Sequence, residues 1–129
     1  MFLLDKYGPD QAFTLAALFD GHGGRGTVDF VSHAMPRNLA VILQNPEAQA
    51  DIERALRASF LLTDVQTAKF VKDTSGSTAV CCMATRDVDR DGALTLVLAN
   101  CGDSRAVLCR NGFVIIFIVH LLEMSMTFQ

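Results

Sequence analysis

No block of basic residues occurs anywhere in this 129-residue chain, and its net charge of -3 is spread over dispersed Asp, Glu, Lys and Arg. Nucleic acid, whose phosphates draw clustered Lys and Arg, is therefore not an expected partner. Cysteines at zinc-knuckle spacing are missing too: Cys81, Cys82, Cys101 and Cys109 include no CxxC pair and no Cys/His knuckle. Cys81 and Cys82 are neighbours on an expected strand and point to opposite faces, which argues against a shared metal or disulfide. Reduced core cysteines are the expectation, and with them an intracellular compartment, cytoplasmic or nuclear. The start, "MFLLDK", has no basic lead and too short an apolar stretch for a signal peptide. Apolar runs of membrane-spanning length are also lacking. The longest, "FVIIFIVHLL" after Gly112, reaches about ten residues where a helical span needs roughly 20. No internal repeat, low-complexity segment or linker interrupts the chain.

What is present is enough apolar sequence, 50% of the residues, for one domain with a core. "AFTLAALF" (Ala12 to Phe19) reads as a buried strand closed by a sharp Asp-Gly turn. From Gly26 the spacing of Val28, Val31, Met35, Leu39 and Ile42 predicts a helix, with Pro36 expected to kink or split it near Met35. Asn45-Pro46-Glu47 predicts the start of a second helix, carried by Ile52, Leu56, Phe60 and Thr63 to about Phe70. "STAVCCMATR", "ALTLVLANCGD" and "RAVLCR" read as successive strands. Asn111-Gly112 is a strong hairpin signal, and Phe113 to Val119 a further strand. A strand, two helices and a run of antiparallel hairpins predict an α+β fold, mainly antiparallel sheet with two helices packed on it.

Three stretches have the composition of sites. Asp87 to Gly92, "DVDRDG", matches the first half of a calcium loop, but the twelfth position is Leu98 where a bidentate Glu is needed, so a solvated hairpin loop is the better reading. "GDSR", with Asp103 after Gly102, either projects a carboxylate from the sheet edge or forms a plain turn in which Asp103 bonds its own backbone. "FDGHGG" (Phe19 to Gly24) has the same ambiguity. Asp20 at the end of a buried strand suits a hard cation such as Mg²⁺ or Mn²⁺, yet Asp-Gly is also a common turn. "GHGGRG" fits neither the dinucleotide nor the P-loop glycine pattern.

Taken in order, "LAALFDGHGG", "SGSTAVCCMA" and "LVLANCGDSRAVLCRNG", with two helices between the first and second, resemble the metal-dependent protein phosphatase 2C family of serine/threonine phosphatases, from about Ala12 to Gly112. The resemblance implies a partial sandwich of that family's type and hydrolysis of phosphoserine and phosphothreonine in proteins. It implies two, or three, Mn²⁺ or Mg²⁺ ions. Asp20 matches the aspartate bridging two of them, Gly21 the residue lending a backbone carbonyl, and Asp103 the aspartate of an accessory site. His22 matches the histidine proposed as general acid toward the leaving oxygen. Ser75, Gly76, Ser77 and Thr78 look like family strand residues with a packing role. His33 and His120 match nothing.

Against the family pattern, no Arg precedes Arg25, and the later aspartate motifs of the metal shell have no counterpart here. Residues 1–112 are thus expected to form a truncated phosphatase-like domain and 113–129 a divergent apolar tail, as from an unspliced intron; sequencing the transcript across the codons for Gly112 and Phe113 tests that origin. Tight metal binding and activity are not expected of this chain alone. A non-catalytic regulatory or decoy protein is the alternative, and a fragment anchored by its apolar tail a third reading.

Overall fold

The computed structural model describes residues 1–87, 93–117 and 124–128. Its centre is a five-stranded antiparallel sheet in the order β1 (Phe2–Tyr7), β2 (Phe13–His22), β3 (Gly76–Asp87), β4 (Ala93–Cys101) and β7 (Met124–Phe128). The remaining strands, β5 (Ala106–Arg110) and β6 (Phe113–Phe117), pair as a separate hairpin. Three helices lie between β2 and β3 in sequence: α1 (Gly26–Ile42), the short α2 (Pro46–Ala50) and α3 (Ile52–Phe70). The class is α+β, as the order of periodicities predicts.

One face of the sheet carries the core. Alternation in β2 turns Phe13, Leu15 and Ala17 inward, where they meet Cys81 and Met83 of β3, Val97 and Ala99 of β4, and Met35, Leu39 and Leu56 of the helices. Leu15, Leu39 and Leu56 are wholly removed from solvent. Burial pushes the thiol of Cys81 well above its ordinary value, so it packs as a small apolar side chain. All four cysteines are unbridged.

Several local expectations are corrected. Pro36 does not split α1, which runs unbroken through it. Its carbonyl accepts a hydrogen bond from the hydroxyl of Tyr7, which ties α1 to the adjoining strand at this point. The second helix is two: Asp51 leaves helical geometry, ends α2 and caps α3 by accepting from the amide of Arg54 at 3.0 Å. Asn45 caps α2 likewise through the amide of Glu47, as its Asn-Pro-Glu signature predicts. β1 and β7 have no counterpart in the expected elements, because "FLLDKY" and "MSMTF" are short and become strands only by pairing with β2 and β4. The Asn111-Gly112 hairpin forms as predicted, both residues having positive φ. Of the calcium-like loop, residues 88–92 lie outside the described residues, as does His120.

The second face of the sheet is only partly covered. Leu98 is buried there, packed with Cys82 and with Ala106 and Leu108 of the β5–β6 hairpin, the beginning of a second layer. Leu18 on that face keeps 36% of its surface exposed and Leu3 keeps 68%. Among the described residues no helix is long and apolar enough to cross a membrane.

Candidate functional site

Asp20, Gly21 and His22 all belong to β2, not to a turn after it: they pair in register with Thr78, Ser77 and Gly76. The expected Asp-Gly turn is displaced to Gly23 and Gly24, whose φ values of 68° and 144° suit glycine. Gly21 is glycine for a different reason. A Cβ there would lie 2.7 Å from Cγ1 of Val28, so the absent side chain lets α1 close against the strand. Strand alternation then sends Asp20 and His22 to the face opposite α1, and both are exposed.

The start of α1 is held from a distance. Arg25, in the N-cap position, offers no side-chain cap. Instead the amide of Gly26 donates to Asp73 at 3.2 Å and the amide of Thr27 donates to Ser75 Oγ at 2.8 Å. Thr27 in turn donates its hydroxyl to the Ser75 carbonyl at 2.7 Å, and Ser75 Oγ donates to Asp73. Orphan amides of the helix are thus satisfied by the loop before β3. Hydrogen bonds from the Ser75 hydroxyl and amide, and then from Gly26, keep the Asp73 carboxyl below the ordinary carboxylate range. The residues Asp73 and Ser75 therefore position the glycine loop, which adds to the packing role expected of the 75–78 stretch. No local pattern announces a cap supplied from 47 residues away.

Asp103 reaches the same corner through Thr78. Thr78 is opposite Asp20 in the β2–β3 register, which sets the two Cα atoms roughly 4.5–5.5 Å apart. Its Oγ1 is 2.6 Å from Oγ of Ser104, and a Cβ on Gly102 would fall 2.9 Å from its Cγ2. Gly102 and Ser104 flank Asp103, so Asp20 and Asp103 stand on either side of one buried threonine. The Asp103 carboxylate is exposed and, among the described residues, has no hydrogen bond to its own backbone of the kind a plain turn would make. Beside His22, Gly76 leaves the room its imidazole occupies: a Cβ at Gly76 would sit 2.4 Å from Nε2. His33 is remote in role, its Nδ1 lying 2.8 Å from the carbonyl of Asp29 one turn back in the helix.

On the α1 side of Gly21 opens a cavity of about 570 Å³, lined by Phe2, Phe19, Gly24, Arg25, Asp29 and His33 among others. Arg25 at its rim pairs with Asp29 at 3.1 Å. This groove was not evident in the sequence, since it depends on β1 lying beside α1.

The donors at the corner, two carboxylates and a main-chain carbonyl, are all oxygen, the kind Mg²⁺ and Mn²⁺ take. Among the described residues no group of three or more His, Cys, Asp or Glu side chains is placed to hold a metal ion.

The profile of the family described as Protein phosphatase 2C matches residues 3–126. This chain is a member of the protein phosphatase 2C family. "Probable protein phosphatase 2C 54" of Oryza sativa subsp. japonica is 36% identical over 103 residues, covering 80% of this chain and 26% of that protein. "Probable protein phosphatase 2C 22" of Arabidopsis thaliana is 35% identical over 96 residues, with 74% and 23% covered. Among solved structures, a C. elegans sex-determining protein matches with a TM-score of 0.51 at 19% identity over 88% of this chain and 36% of that one, a likeness of fold. The protein phosphatase 2C chain described here thus spans about a quarter of the length of the curated relatives it matches.

Proposed function

We propose that this chain is the part of a metal-dependent protein serine/threonine phosphatase that carries its Asp-Gly-His strand end, and that its substrates are phosphoserine and phosphothreonine proteins. The observation that carries the reading is the placement of Asp20 and Asp103 on either side of Thr78, with His22 two residues along the same strand face, in a chain of this family. Asp20, the Gly21 carbonyl and Asp103 would hold the divalent ion, Mn²⁺ or Mg²⁺. When bound, such an ion polarises phosphoryl oxygens and provides a water acidic enough to attack phosphorus near neutral pH. The β2–β3 ladder fixes the backbone of Asp20, so only rotation of its side chain remains to bring the carboxylate onto a ligand. His22 projects into solvent with its ring packed over Gly76, where it can give a proton to the leaving serine or threonine oxygen.

For the chain as it stands, the donor count supports a second reading, a phosphatase-like protein without catalysis of its own. A phosphothreonine peptide assay in the presence of Mn²⁺ separates the two. Turnover abolished by Asp20→Asn supports hydrolysis by this chain; no turnover above the Asp20→Asn background supports the non-catalytic reading.

A further inference from the structure

We infer that Asn100 is a positioning residue for the Asp103 turn; the inference rests on the proposed assignment of Asp103 to the cation. On β4 the side chains that share the open face are Leu94, Leu96, Leu98 and Asn100. The apolar series gives way to an amide at the last position before the turn, although Asn100 is as buried as Leu98, each with 6% of its surface exposed. Its Nδ2 donates to the carbonyl of Gly102 at 3.3 Å and to that of Ser104 at 2.9 Å. These are the two carbonyls on either side of Asp103. Reversing the amide would set Oδ1 against both carbonyl oxygens, so the partners fix its orientation. Oδ1 itself has no hydrogen-bond partner among the described residues. A leucine, branched in the same way, would avoid that buried unsatisfied atom but would make neither bond to the turn. The amide therefore gives up stability in the strand to hold the backbone around Asp103. Thr78 tethers the same turn from the other side through Ser104, and Gly102, with φ of 103°, bends tightly against it. Asn100 and Thr78 together fix the loop carboxylate relative to Asp20.

The test uses the full chain and Asn100→Leu. Thermal unfolding is expected at the parent's temperature or above, because the unsatisfied Oδ1 is gone, while hydrogen exchange at the amides of residues 102–105 quickens. In a Mn²⁺ titration followed by paramagnetic broadening of amide signals, those of Gly102 and Ser104 should need roughly 5-fold more Mn²⁺, the effect of losing the two bonds that hold the turn. The signal of Gly21, which reports the same ion, should shift in parallel. A purely structural asparagine predicts the reverse pattern: lower unfolding temperature with exchange and Mn²⁺ response unchanged, and that result overturns the proposal. Should Asn100→Leu not fold, Asn100→Thr, which keeps a single donor, is read by the same exchange measurement, and parent-like rates at 102–105 sink the idea. Asp103→Ala separates the underlying reading. If it leaves broadening at Gly102 and Ser104 untouched, Asp103 is not a ligand, and the exchange rates alone still decide whether Asn100 fixes the turn.

Discussion

On the helix side of the five-stranded sheet, Leu15, Leu39, Leu56 and Met83 lie in one continuous core, whereas on the other side Leu98 anchors a small cluster with Cys82, Ala106 and Leu108. Asp20 and His22 project on the second side. The contrast separates two tasks that a single sheet performs. The helix side supplies the burial that fixes the strands, and the other side carries the polar groups at the strand ends. Gly21 joins the two, because the close approach of Val28 on one face is what clamps the strand that offers Asp20 on the other.

If that division is right, Leu56→Ala should cost about 2–5 kcal/mol in denaturant unfolding, as truncation in a closed core does. Leu18→Ala on the open face, already 36% exposed, should cost less than about 1 kcal/mol; equal losses would erase the distinction. Next in size is Gly21→Ala, expected to destabilise by about 1–3 kcal/mol through the clash with Val28. Combining it with Val28→Ala should recover much of that loss, and strict additivity in the double-mutant cycle would show that Val28 is not the reason. Ser75→Ala removes the acceptor for Thr27, so a loss of about 1 kcal/mol is expected, with faster hydrogen exchange at the first amides of α1.

The smallest effect is a pH dependence at the same clamp. Asp73 is held below its ordinary pKa by Ser75 and Gly26, so the folded form favours the carboxylate. Its contribution is complete above the unfolded Asp value near ~3.9 and is lost as pH falls through the lower folded value. Amide exchange in the first turn of α1, followed from pH 5 downward and corrected for intrinsic rates, should rise relative to the helix centre. Asp73→Asn should flatten that rise, and an identical profile would remove Asp73 from the account.

How much of this was legible depends on the range of the interaction. The α1 helix, the Asn45 cap, the β3 and β4 strands and the Asn111-Gly112 hairpin were readable because periodicity, capping chemistry and turn preference are local. So were Asp20, Gly21, His22 and Asp103 as a pattern. The extension of β2 through His22 was not, since Asp-Gly reads as a turn unless β3 is known to pair beyond it. Pro36 misled for a similar reason, since the helix that continues through it is tied to a tyrosine 29 residues earlier. Asn100, Asp73 and Ser75 are unremarkable in sequence and acquire roles only from the loops they bond.

Sequence alone determined the fold class, the family and which residues are candidates, because hydrophobic period and ordered motifs are properties of the chain taken in order. Tertiary structure decided that Asp20 lies within a strand, that Thr78 stands between it and the Asp103 turn, and that one amide holds that turn in place. Those are contacts between residues far apart along the chain, set by strand register and side-chain reach, which composition and spacing do not encode.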